Sequence, residues 1–136
     1  MKRVRFLTTE QVLEIHREMI ERYGGDGAIR NLGLIDSAVA MPRQAFGGKY
    51  LHPSIPSMAA AYLYHLCSNH GFVDGNKRTA AAAALVFLDA NRIELAFGLD
   101  DLERLTVDVA SSRLDKTRLI EVFEAVSRRR PPRRRS

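Results

Sequence analysis

The stretch His70–Asn91, HGFVDGNKRTAAAAALVFLDAN, decides how the chain folds and where its chemistry sits. From Asn76 it holds five consecutive alanines and then Leu85, Val86, Phe87 and Leu88. A helix apolar nearly all round belongs in the middle of a bundle, where alanines let neighbours approach closely. This one is expected to be the central helix. At its start, unpaired backbone N–H groups and the positive dipole end favour phosphate. Gly75 removes a side chain where such a ligand would approach, and it permits positive φ in the turn. Asn76 can donate from its amide, while Lys77 and Arg78 are cations set unfavourably against the dipole unless an anion binds. Asp74 offers the hard oxygen that magnesium takes. His70, across the turn, is a natural base for an attacking hydroxyl. Phe72 is expected to anchor the loop by packing inward. Base, metal ligand and phosphate cradle fall within nine residues, which implies phosphoryl or nucleotidyl transfer to a hydroxyl by positioning and charge neutralisation.

Outward from this segment the periodicity is helical. Thr8 with Gln11 forms a capping-box pattern ahead of Val12, Ile15, Met19 and Tyr23, and Gly24–Gly25 ends that helix. A shorter helix follows Asn31, with Leu34, Ile35, Ala38 and Val39 on one face, and stops near Met41 because Pro42 follows. Residues 43–54 hold Gly47–Gly48 between two short segments with bulky side chains and read as a hairpin-like flap. Pro56 suits the first turn of a third helix, with Met58, Ala59, Tyr62, Leu63 and Leu66 inward. After the central helix come a short extended piece, Ile93 to Phe97, and two helices carrying Leu102, Leu105, Val109 and then Ile120, Phe123, Val126. The fold class is all-α, a mainly helical bundle with a short β-hairpin-like flap.

At 136 residues, 46% hydrophobic and 27% charged, the chain fits one globular domain. The single cysteine, Cys67, excludes a disulfide framework. The longest apolar run, Ala80 to Leu88, is too short to span a bilayer, which needs about 20 residues. MKRVRFLTTEQ has no apolar core behind its basic start, so no secretory signal is read there and the cytoplasm is the expected compartment. The formal charge of +5 points to a nucleic-acid binder only until it is located: six arginines lie in residues 128–136, and removing them leaves −1 for residues 1–127. Residues 1–127 are expected to be the catalytic domain, and 128–136 a basic, disordered tail.

HGFVDGNKRTA resembles the Fic superfamily signature HxFx(D/E)GN(G/K)R, and specifically its Doc (death-on-curing toxin) branch. ERYGG, LIDSA before MPRQAFGG, and the alanine-rich helix ending in FLDAN extend the likeness over roughly residues 5–126. The resemblance implies the Fic helical fold, with a flap that docks a target protein by strand pairing; Arg43, Phe46, Gly47, Gly48, Lys49 and Tyr50 fall there. AMP-transferring members carry Gly at the position of Lys77 and a second Arg at that of Ala81. A lysine fills space left for a nucleotide's outer phosphates, and without the second arginine those phosphates lose a bidentate partner. The Doc branch, which shares the lysine, implies kinase-like chemistry: the γ-phosphoryl group of ATP passes to a threonine of elongation factor Tu, halting translation. His70 is then the base, Asp74 the Mg2+ ligand, and Gly75, Asn76, Lys77 and Arg78 the phosphate site. A Phd-like antitoxin is implied, with operator DNA reached only through it. The competing expectations are AMP transfer to a protein hydroxyl, and a catalytically silent module acting with an antitoxin and DNA.

Other groups favour plain roles. His16 and His65 are expected to be packing or surface residues and His52 a loop residue. A zinc site from His65, His70 and Asp74 lacks same-face spacing. Cys67 fits a small buried hydrophobe. Thr117 and Glu121 match only part of a Fic autoinhibitory helix pattern, because Val122 stands where Gly or Asn is required.

Overall fold

A computed structural model describes residues 3–131. Helix α1 (Thr9–Tyr23) begins with the expected box: the Gln11 N–H donates to Thr8 Oγ1 at 3.1 Å, and the Thr8 N–H donates to Gln11 Oε1 at 2.8 Å. Asn31 caps α2 (Leu32–Ala40) by accepting from the Leu34 N–H at 3.0 Å. A 3-10 turn, Met41–Arg43, leads into the flap, where β1 (Ala45–Phe46) pairs antiparallel with β2 (Lys49–Tyr50). The two-residue turn between them needs positive φ at both centres, and Gly47 and Gly48 supply 59° and 79°. Helix α3 (Ile55–Ser68) starts with Pro56 in its first turn and a Ser54–Ser57 capping box. Helix α4 (Asn76–Ala90) is followed by β3 (Ile93–Leu95), α5 (Leu99–Ala110), α6 (Lys116–Val126) and β4 (Ser127–Arg129). The described residues thus form a mainly helical fold of six α-helices and two small antiparallel pairs. None of these helices is long and apolar enough to cross a membrane.

The core is the α3–α4 pair, with α1, α5 and α6 packed around it. Helix α4 was expected to be the central one, but α3 holds more of the interior: Ser57 through Leu63, Leu66 and Cys67 are all buried. On α4, Val86, Asp89 and Ala90 face solvent. Helices α3 and α4 pack closely, and small buried side chains, Ala59 and Ala60 on α3 and Ala80, Ala83 and Ala84 on α4, all 0% exposed, permit the approach. Tyr62 and Phe87, ring centroids 4.9 Å apart, fill the remaining width. Burial raises the Tyr62 hydroxyl pKa to about 12, so it stays protonated, and its oxygen accepts from the Leu7 N–H at 2.9 Å.

The folded body reaches past residue 127. Strand β4 adds to β3 in the register Ile93↔Arg129, Glu94↔Arg128, Leu95↔Ser127. The Arg130 N–H donates to Arg92 O at 2.9 Å, and its guanidinium pairs with Asp89. Three arginines assigned to the tail therefore belong to the body, because the open edge of β3 offers backbone partners and Glu94 and Asp89 offset the like charges. The rest of the expected tail, residues 132–136, lies outside the described residues.

Candidate active site

The loop between α3 and α4 is held from outside itself. His70, just past the end of α3, has φ 51° without being glycine, a conformation that costs of order 1–3 kcal/mol and persists only where the surroundings impose it. They do so through residues 26–31, which run antiparallel to the loop with an Ile29–Phe72 bridge. Arg30 Nε donates to the His70 carbonyl at 2.7 Å. The Arg30 and Asn31 N–H groups both donate to Gly71 O, at 2.9 and 3.0 Å, and Val73 N–H donates to Ala28 O at 3.1 Å. The Asp26 N–H donates to Asp74 Oδ2 at 2.7 Å.

From beneath, α1 supports the same loop. Phe72 is 2% exposed, as expected of an anchor, and its ring stacks on His16 at 3.7 Å between centroids and 10° between planes. His16 Nε2 lies 2.8 Å from the Asp74 carbonyl oxygen. Gly75 has φ 83°, and a Cβ there would stand 3.3 Å from Ile20 Cδ1 and 3.4 Å from His16 Cδ2. The positive φ expected at Gly75 is present, and the missing side chain also leaves room for Ile20 and His16 of α1. Asn76 is redirected. Its Oδ1 accepts from the Phe72 N–H at 3.1 Å and its Nδ2 donates to Phe72 O at 2.9 Å, so it closes the loop and keeps one amide N–H for a ligand.

The remaining groups face solvent together. His70, Asp74, Lys77 and Arg78 are exposed at the start of α4, where no side chain caps the first turn. Neither Lys77 nor Arg78 has an acidic partner among the described residues. The Arg78 guanidinium lies 4.3 Å from the Tyr23 ring centroid, stacked on the end of α1. Two cations beside uncapped helix N–H groups suit a polyphosphate. For a metal, the described residues offer no cluster of three ligating side chains. Asp74 is a single exposed carboxylate whose Oδ2 already accepts the Asp26 N–H, while Oδ1 has no hydrogen-bond partner among the described residues. One carboxylate plus substrate phosphates and water is how Mg2+ is commonly held, so the residues fit that ion and not zinc.

In the flap, Phe46 is 82% exposed and the outer edges of both strands take no partner strand among the described residues. Arg43 and Tyr50, expected to face a target, are exposed and also touch the body through Phe6. Arg43 lies 5.2 Å from the Phe6 ring centroid, and the Tyr50 ring meets Phe6 edge-on at 5.6 Å. Phe46, Gly47, Gly48 and Lys49 form the projecting tip.

His16 is the residue whose part in the site the sequence missed. The available signal was His16, Ile20 and Tyr23 at i, i+4 and i+7, one face of α1. Cys67 is 1% exposed, and burial raises its thiol pKa, as fits a small hydrophobe. His52 is buried, and burial with the Lys116 charge lowers its pKa. Glu121 pairs with Arg118 on α6 at 3.1 Å and touches no part of the loop.

A family model described as the Fic/DOC family matches residues 6–88. The toxin Doc of Mycolicibacterium smegmatis is 44% identical over 95 residues, covering 68% of this chain and 73% of that protein. The protein kinase doc of Escherichia phage P1 is 28% identical over 111 residues, covering 82% of this chain and 86% of that protein.

Proposed function

The chain belongs to the Fic/DOC family, in its Doc branch, and from that premise we propose that it is a Doc-type toxin transferring the γ-phosphoryl group of ATP to a protein hydroxyl. The observation that carries this reading is the pair Lys77 and Arg78 at the uncapped start of α4, without acidic partners among the described residues. Lys77 and the half-buried Ala81 lie one turn apart on α4, so the two positions at which AMP-transferring members carry Gly and Arg share one face. That face offers a cation where an AMP-transferase leaves room for outer phosphates, and it favours γ over α transfer.

His70 takes the proton of the attacking hydroxyl as its oxygen forms the new bond to the γ-phosphorus. The bond from that phosphorus to the β,γ-bridging oxygen breaks, and ADP leaves with the electron pair. Lys77, Arg78 and the first N–H groups of α4 hold the phosphates in line and spread their charge. Asp74 would hold a Mg2+ ion, which neutralises phosphate charge when bound. The flap tip presents open strand edges to an extended segment of the target. We assign elongation factor Tu as that target, its threonine as the acceptor, and a Phd-like antitoxin as the restraining partner, on the likeness to the Doc branch; the cytoplasm follows as the place of action.

The test is parallel labelling of purified elongation factor Tu with ATP carrying the label at γ or at α, with His70→Ala as control. Label from γ alone, lost in His70→Ala, is expected; a positioned base contributes about 10²- to 10⁴-fold. Label from α would make the protein an AMP-transferase, and no label from either overturns the assignment of this target.

A further inference from the structure

We propose that His16 is a positioning residue for phosphoryl transfer: its imidazole N–H locks the Asp74–Gly75 peptide, and so aims the Asp74 carboxylate and the start of α4 at the phosphates. What the loop holds rests on the reading above; how the loop is held rests on geometry alone.

The Asp74 carbonyl oxygen can only accept, so the 2.8 Å contact makes His16 Nε2 the donor and excludes the neutral tautomer protonated solely at Nδ1. The ring cannot turn away, because it is 3% exposed and stacked on Phe72 at 3.7 Å. The peptide it holds is a mobile one by composition. Gly75 at φ 83° has access to several wells that other residues lack, and a peptide preceding glycine flips readily. A fixed donor beneath the carbonyl selects one of them. Asp74 is then gripped twice: its main chain by His16 from α1, and Oδ2 of its side chain by the Asp26 N–H at 2.7 Å. With both grips in place the carboxylate is ordered before any ligand binds, and its Oδ1 has no hydrogen-bond partner among the described residues. A residue present only to fill space would be better as phenylalanine, which stacks on Phe72 without burying polar nitrogens.

His16→Phe keeps the ring and removes the donor, His16→Gln keeps an N–H of similar reach and removes the ring, and His16→Met is the second donorless variant should phenylalanine not fit. In the ligand-free chain, 15N order parameters for Gly75–Arg78 are expected to fall in His16→Phe and to recover in His16→Gln, with melting temperatures close to the parent's. By calorimetry, the gain in ATP affinity on adding Mg2+ is expected to drop about 10- to 100-fold in His16→Phe, with ATP affinity in chelator unchanged. Unaltered order and an unaltered Mg2+ gain in His16→Phe would overturn the proposal, as would a glutamine variant as impaired as the phenylalanine one. If the parent chain transfers no phosphoryl group, the functional reading falls separately. The order parameters then decide alone: loosening in His16→Phe rescued by His16→Gln upholds the role, and its absence ends it.

Discussion

Acid should weaken this fold, and His65 on α3 gives the size of the effect. Its Nε2 is buried with no hydrogen-bond partner among the described residues. Burial, then the Lys116 charge, then His52, lower its pKa from 6.5 to about 4. Above 6.5 neither the folded nor the unfolded chain protonates it, and the native state keeps its full stability. Below 6.5 the unfolded chain takes up a proton that the native state refuses, so stability drains as pH falls toward the folded value. At pH 5 the ratio of the two binding polynomials is about 30, an upper bound of about 2 kcal/mol that solvent screening of the half-buried ring reduces to about 1 kcal/mol, against a typical domain stability of about 5–15 kcal/mol. His52, lowered by burial and Lys116, adds in the same direction. Urea unfolding at pH 7.5 and pH 5 should show the parent losing about 1 kcal/mol more than His65→Gln, whose amide does not titrate. Parallel pH dependences in the two proteins would refute the reasoning, because the proton uptake would then lie elsewhere.

Three other perturbations follow from the site. Tyr23→Ala removes the surface on which Arg78 is stacked, and should weaken ATP binding about 2- to 5-fold by calorimetry, while Tyr23→Phe should change little. Gly71→Ala puts a Cβ into Ile35 Cγ1, which belongs to a buried residue, and should destabilise by about 1–3 kcal/mol in chemical denaturation, partly restored by adding Ile35→Val. Lys77→Gly combined with Ala81→Arg should let label from the α-phosphate of ATP appear on the target, as read by gel autoradiography, with label from γ reduced.

What the sequence revealed was local. Thr8 with Gln11, Asn31 before an apolar face, and Gly47–Gly48 between bulky segments each act over four residues or fewer, and each specifies its element without help from a tertiary contact. Groups expected to act on a ligand were harder to place, because chemistry and packing draw on the same residue types. Asn76 is a good phosphate donor by composition, yet its amide is committed to Phe72 across one turn. Gly75 is favoured by its φ of 83° and by the nearness of His16 and Ile20, neither of which the motif itself shows. Contacts between distant parts of the sequence left no local trace. Nothing near Arg128 announces Glu94 as its partner, and a like-charged run reads as repulsive until the opposite charges of β3 and α4 are seen beside it.

The same distinction bears on what a motif can certify. The nine residues from His70 to Arg78 hold the groups proposed to react, but their conformation is set by α1 and by residues 26–31. His70 sits at a positive φ that it would not adopt alone, with its carbonyl tied to the Arg30 side chain and the next carbonyl to two backbone N–H groups. A chain with the motif intact but without a donor at His16 or Arg30 would keep every reacting group and lose their arrangement. Catalysis by positioning is sensitive to such a loss, since a displacement of about 1 Å can remove about 100-fold in rate. On the proposed reading, activity of this chain depends on the motif together with the face of α1 that carries His16, Ile20 and Tyr23, and that face is where substitutions should silence the protein without touching its signature.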